Sequence, residues 1–207
     1  MSLTNFQIED LSRRMNFPLA GVFFKTELSE SPLQYNTGYV VNLEDEFDED
    51  GNRNEGTHYV CFYVKKNKNG KIEPIAFDSY GVAPCKEIVD YIGLGHTPPY
   101  NTKDIQSIMQ ECCGWYVCAF LYWISSFHNR THSLYEDAEN FTDLFLDLNK
   151  SADWKHNEFV LKHFFRDSRK EVRDKRPIEV FEGTGFKPIY VEDIGKTHTI
   201  TVDTQKG

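Results

Sequence analysis

The chain has 207 residues, 40% of them apolar, 14% aromatic and 27% charged, which is a globular composition long enough to enclose a real core and excludes a disordered chain. A net charge of −9 argues against a surface built mainly for nucleic acid, and no apolar run reaches the length of a membrane helix.

The opening MSLTNFQIEDLSRRM is polar and mixed in charge and does not read as a signal peptide. Thr4 and Gln7 have capping-box spacing, and Leu3, Phe6, Leu11 and Met15 mark a rough apolar face, so the spacing predicts a helix over 4–15. Segments 18–28 and 38–43 carry the β-branched and aromatic content of strands. Between 44 and 56 lies an acidic loop rich in Gly and Asn. Its Glu46, Asp48, Asp50 and Gly51 imitate a calcium loop, but Thr57 stands where a bidentate Glu is required, which rejects an EF-hand.

HYVCFYV (58–64) and IEPIAF (72–77) are the strongest strand signals, and KKNKNGK between them predicts a hairpin. Residues 84–92 read as a short helix and 96–103 as a loop with two prolines. GWYVCAFLYWISS (114–126) is apolar all round, the pattern of a helix buried on every side. Helices follow over 135–149 and 154–165, with Leu144, Phe145, Leu148 and then Phe159, Leu161, Phe164 as their apolar positions. The basic cluster from Arg166 to Arg176 is interleaved with acids and reads as a solvated helix end, and from Ile178 the sequence turns extended. No repeat or linker divides the chain, so 1–207 is read as a single domain.

Five cysteines, Cys61, Cys85, Cys112, Cys113 and Cys118, are an odd number in a chain without a secretory signal, which predicts free thiols in a reducing compartment. There is no CxxC and no HExxH, so no metal site is expected, and His128 and His132 read as surface residues. Cys113 falls at the first turn of the buried helix, where unpaired N–H groups and the helix dipole favour a thiolate and can also hold an oxyanion. Gly114 beside it lets a substrate backbone come close. Cys118 lies inside the helix and reads as a core thiol, whereas Cys112 is harder to set aside: only one of the two neighbours can face a base. His58 opens a strand and Asp78 closes the next, so a hairpin places them at the same end, a carboxylate near an imidazole.

The order of these residues resembles the adenovirus-type maturation proteases, the adenain family, whose relatives include virophage and transposon-encoded virus-like proteases and SUMO-deconjugating enzymes. Gly56-Thr57-His58-Tyr59 is similar to the family's Gly-x-His-Trp strand, and Phe77-Asp78-Ser79-Tyr80-Gly81 to its Phe-Asp/Glu-x-Phe-Gly segment. Gln106 stands seven residues before Cys113, and Cys113-Gly114-Trp115-Tyr116-Val117-Cys118 is similar to its Cys-Gly-x-x-x-Cys segment. The resemblance covers residues 1–126.

It implies an α+β fold in which a central mixed or antiparallel sheet packs on a buried helix that carries the nucleophile at its N-terminus, a papain-type arrangement, with further helices in the C-terminal half. By resemblance the catalytic residues are Cys113, His58, Asp78 and Gln106, the last forming part of the oxyanion hole, and Gly114 and Tyr59 bind substrate. The implied activity is a viral cysteine endopeptidase that needs no cofactor or metal and acts as a monomer inside virions and the host-cell virus factory. Its partners are capsid and core precursors cut after glycine. Family enzymes are stimulated by DNA and by a disulfide-linked peptide; the acidic balance here counts against DNA, and no cysteine matches the peptide-linked one. The short acidic form points to the virophage or Polinton branch. An isopeptidase acting on ubiquitin-like chains shares these catalytic parts, and a silent capsid-binding homologue shares the fold. Phe181-Glu182-Gly183-Thr184-Gly185 resembles the family's cleavage pattern, which makes self-cleavage after Thr184 an expectation.

Overall fold

The computed structural model describes residues 3–52, 54, 56–127, 133–166 and 189–190. Its first helix, α1 (Asn5–Met15), begins with the expected capping box: Gln7 N–H donates to Thr4 Oγ1, and Thr4 N–H donates to Gln7 Oε1 at 2.9 Å. Asn16 ends it in the left-handed conformation. Ile8, Leu11 and Met15 form the buried face. Phe6, expected on that face, is 70% exposed, because it lies about 140° around the helix from Leu11.

Four strands follow: β1 (Leu19–Phe24), β2 (Thr37–Asn42), β3 (Tyr59–Lys66) and β4 (Ile72–Phe77). They form one mixed sheet in the order β1-β2-β3-β4, with β1 parallel to β2 and the other pairs antiparallel. The strand expected to run to residue 28 stops at Phe24. There Glu27 turns the chain, accepting from Phe24 N–H through its side chain at 2.7 Å and donating its own N–H to Phe24 O at 3.0 Å. A 3-10 turn then buries Leu28. The β3–β4 hairpin is closed by a turn in which Asn67 and Lys71 pair and Gly70 has φ +86°.

Both faces of the sheet are covered, which is why β3 reads as an unbroken apolar run rather than an alternating one. Tyr59, Cys61, Tyr63, Ile75 and Phe77 share a core with α3 (Cys113–Phe127). Val60, Phe62, Val64 and Ala76 face the other way, toward Leu28 and the short helix α2 (Lys86–Ile92). From Tyr116 to Ile124 every residue of α3 except Tyr122 is buried. Phe120 stacks on Phe77 with ring centroids 4.4 Å apart, and Phe141 of α4 (Leu134–Thr142) meets both rings edge-on.

The helix expected over 135–149 ends at Thr142. Asn157, buried in α5 (Trp154–Phe164), explains the break: its Oδ1 accepts Leu146 N–H at 2.7 Å, and its Nδ2 donates to Leu146 O at 2.7 Å and Ile105 O at 3.0 Å. Those bonds hold 143–148 outside helical geometry and tie it to the segment before α3. The chain then forms β5 (Phe165–Arg166), paired in parallel with β6 (Ile189–Tyr190). His128, His132, the basic cluster beyond Arg166, the Phe181–Gly185 motif and the rest of the tail lie outside the described residues. Among the described residues no helix is long and apolar enough to cross a membrane. The α+β class and the mixed sheet agree with the expectation from sequence.

Candidate active site

Gly56-Thr57-His58 enters β3 through a backbone that only glycine tolerates. Gly56 has φ +87°, and a Cβ there would lie 1.7 Å from the Asn42 amide. The β3–β4 register pairs Cys61 with Phe77; continued one step, it sets Asp78 opposite Val60 and leaves His58 diagonal to Asp78 on the same parity. The side chains close that gap: His58 Nε2 lies 2.8 Å from Asp78 Oδ1. This leaves Nδ1 as the ring nitrogen available to a second partner, and the electrostatics of His58 and the Cys113 thiol are coupled.

Asp78 is 5% exposed and held from several sides. Its backbone N–H donates to Asn101 Oδ1 at 2.9 Å and its carbonyl accepts Asn101 Nδ2 at 2.7 Å, while its Oδ1 also accepts Tyr80 N–H at 2.9 Å. Gly81 completes the turn at φ +70°, pressed so closely on the Thr102–Lys103 backbone that a Cβ would sit 2.7 Å from Thr102 O.

Cys113 opens α3 and is 6% exposed. Trp115 and Tyr116 N–H turn back onto Cys112 O, which leaves the N–H groups of Cys113 and Gly114 without helical acceptors. Tyr59 N–H donates to the Cys113 sulfur at 3.4 Å. Burial disfavours a thiolate at Cys113, but bonds from His58 and the Tyr59 N–H outweigh it and hold the thiol below its ordinary range. Burial likewise disfavours charge on His58, and its bonds to Asp78 and Cys113 prevail, raising its pKa to about 9.

The other four thiols move the opposite way. Burial pushes up Cys61, Cys85 and Cys118, and burial with the neighbouring Cys113 charge takes Cys112 to about 12. Cys112 is half-buried, and its thiol points to Gln110 Oε1 at 3.7 Å rather than to the imidazole. All five cysteines are free.

The remaining sequence-selected residues surround this group in different ways. Gln106, 2% exposed, is fixed by three bonds: Ser79 Oγ donates to its Oε1 at 2.8 Å, and its Nε2 donates to Gln110 O at 2.7 Å and to the Tyr80 hydroxyl at 3.2 Å. Tyr59 turns its ring inward, where its hydroxyl donates to Asn5 Oδ1 at 2.5 Å, so that α1 is anchored next to Cys113. The space beside Gly114 is filled by the chain itself: a Cβ would be 3.0 Å from Leu3 Cβ. The Tyr59 ring therefore presents no free surface, and its N–H is already given to the Cys113 sulfur. Sequence reading assigned no role to Ser79, Tyr80 or Asn101; Tyr80 lay inside a quoted motif, while Asn101 sat in an unremarkable loop.

No family model matches this chain, and no curated protein matches it. Among solved structures it is similar to the ASFV pS273R protease at 16% identity and TM-score 0.44, over 77% of this chain and 66% of that one. A selenomethionine crystal structure of the same protease aligns at 16% identity and TM-score 0.39, again over 77% and 66%. HopZ1a in complex with IP6 aligns at 10% identity and TM-score 0.36, over 67% of this chain and 45% of that one. This chain thus spans just under two thirds of the protease's length.

Proposed function

We propose that this chain is a cysteine endopeptidase with Cys113 as nucleophile, His58 as base and acid, Asp78 as the group that orients His58, and Gln106 on the oxyanion side. The observation that carries the reading is the meeting of Cys113, His58 and Asp78 at the head of α3, where the His58–Asp78 bond is 2.8 Å long and Cys113 is the one thiol of five held below its ordinary range.

In this mechanism His58 takes the Cys113 proton, and the thiolate attacks the peptide carbonyl carbon, moving the C=O electrons onto oxygen. The N–H groups of Cys113 and Gly114 and the Gln106 amide hold that oxyanion. On collapse the C–N bond breaks and the leaving amine takes its proton from His58. His58 then deprotonates water, which attacks the thioester, and the departing sulfur regains its place in the ion pair. Asp78 accepts from Nε2 throughout, so Nδ1 stays aimed at sulfur and substrate.

The substrate class rests on the resemblance of the four motifs: precursor proteins of a viral capsid or core, cut after glycine, with the short acidic form pointing to the virophage or Polinton branch. The Tyr59 and Gly114 backbone would receive the substrate main chain beside the sulfur. The chain is proposed to act as a monomer without cofactor, inside virions and virus factories.

The test is intact-mass labelling with iodoacetamide at graded pH, paired with hydrolysis of glycine-containing peptides and a ubiquitin or SUMO vinyl sulfone. Fast single labelling near neutral pH, lost in Cys113→Ala and slowed in His58→Ala, with peptide cleavage, supports the endopeptidase. Labelling by the vinyl sulfone without peptide cleavage would favour the isopeptidase, and slow, equal labelling of all three chains a silent homologue.

A further inference from the structure

We propose that Tyr80 is a positioning residue that couples the two halves of this site, its ring setting His58 and its hydroxyl setting the Gln106 amide. This rests on the endopeptidase reading above. The His58 and Tyr80 ring centroids are 4.6 Å apart, with planes inclined by 32°, so the phenol covers one face of the imidazole. The same residue's N–H donates to Asp78 Oδ1 at 2.9 Å, the very oxygen that His58 Nε2 contacts at 2.8 Å. At the far end of the ring, the hydroxyl accepts from Gln106 Nε2 at 3.2 Å. One residue thus touches the base, the acid and the oxyanion-side amide.

The hydroxyl bond matters because of what the amide does with its other hydrogen. Gln106 Nε2 has two, and the shorter bond goes to Gln110 O at 2.7 Å. The 3.2 Å bond to Tyr80 is the longer and therefore the one an incoming oxyanion can take over. Until then the phenol keeps that hydrogen directed into the site, so no reorganisation is needed when charge develops. Burial, together with the nearby Cys113 and Cys112 charges, raises the phenol's pKa, so the hydroxyl stays protonated while the site works. Ser79 supports the arrangement from the buried side: its hydroxyl holds Gln106 Oε1, and its carbonyl accepts the N–H groups of Ile105 and Gln106 at 2.8 and 3.1 Å.

The ring and the hydroxyl are separable. Tyr80→Phe keeps the ring over His58 and removes the bond to Gln106; Tyr80→Leu removes both. Tyr80→Phe is expected to lower kcat by about 10- to 100-fold, with KM unchanged and the basic limb of the pH profile in place, and Cys113 alkylation, which forms no oxyanion, unaffected. In a Gln106→Ala background the same substitution should cost nothing further. Tyr80→Leu should in addition move the basic limb, because His58 loses its cover. Wild-type kcat in Tyr80→Phe, or the same loss with Gln106 present and absent, would overturn the proposal alone. A wild-type chain that is alkylated at Cys113 yet hydrolyses no peptide would overturn the endopeptidase reading and this role with it.

Discussion

His58 and Asp78 meet at 2.8 Å although they are not a cross-strand pair; the β3–β4 register sets them diagonally, at the open end of the hairpin. The pairing is therefore a property of register, and a slip of one residue would send the two side chains to opposite faces. Asp78 Oδ1 serves Tyr80 N–H as well as His58, so the carboxylate is fixed before it orients anything.

The pH dependence follows from the two shifts. The Cys113 thiol is held below its ordinary 9.0, so the thiolate is lost only as pH falls through that lowered value. His58 is raised from 6.5 to about 9, so the imidazolium is present below that pH and is lost as pH rises through it. Peptide hydrolysis should fall away on the basic side near pH 9. Alkylation of Cys113 should remain fast well below pH 9, and in His58→Ala its midpoint should move upward, because burial is then opposed by fewer partners. A midpoint unmoved by His58→Ala, read by mass spectrometry, would contradict the ion pair.

Asp78→Asn keeps an oxygen for Tyr80 N–H and removes the charge that faces the imidazole. Turnover should fall by roughly 100-fold or more, by analogy with other triads that lose their carboxylate. The basic limb should shift below 9, since the Asp78 bond is the largest contribution that raises His58. Steady-state kinetics across pH on the purified variant measures both effects.

Gly81→Ala forces a side chain into a left-handed backbone position and against the Thr102 carbonyl, at a cost of roughly 1–3 kcal/mol. Gly70→Ala is the control: φ is +86° but no atom lies within 4 Å of the added Cβ, so it should lose less. Urea unfolding of both variants compares them. Gly81→Ala should also slow hydrolysis, because residues 78–81 carry Asp78 and Tyr80.

Asn157→Leu removes three bonds to the backbone of Leu146 and Ile105; Ile105 O keeps the Tyr116 hydroxyl at 3.0 Å, but the Leu146 N–H and carbonyl lose the side chain that pairs them. A loss of roughly 1–3 kcal/mol is expected for such unpaired groups, readable in the urea midpoint. Ile105 precedes Gln106, so the variant should also lose turnover while Cys113 still alkylates at the wild-type rate.

Much of the local structure was written in short-range pattern. The Thr4–Gln7 capping box, the turn between β3 and β4 and the all-apolar helix from Cys113 need only their own residues and the periods of helix and strand. Motif order, through the family resemblance, picked out Cys113, His58, Asp78 and Gln106 as candidates, of which the structure brings His58 and Asp78 to 2.8 Å. Where the sequence misled, a distant residue had intervened: Asn157, more than ten positions downstream, ended the helix at Thr142 by taking the Leu146 backbone. The surroundings of Tyr59 and Gly114 were likewise set at a distance, because α1 and Leu3 close over them from the start of the chain.

Tertiary structure supplied the physical cause that sets Cys113 apart from Cys112. The two are adjacent and chemically identical, and the motif spacing that favours Cys113 does not by itself lower its thiol pKa. Only the side on which β3 delivers His58 and the Tyr59 N–H does so, lowering one thiol while burial and its neighbour's charge take the other to about 12. A thiolate in a buried place is a balance of desolvation against specific partners, and those partners come from the packing of strands 54 residues away.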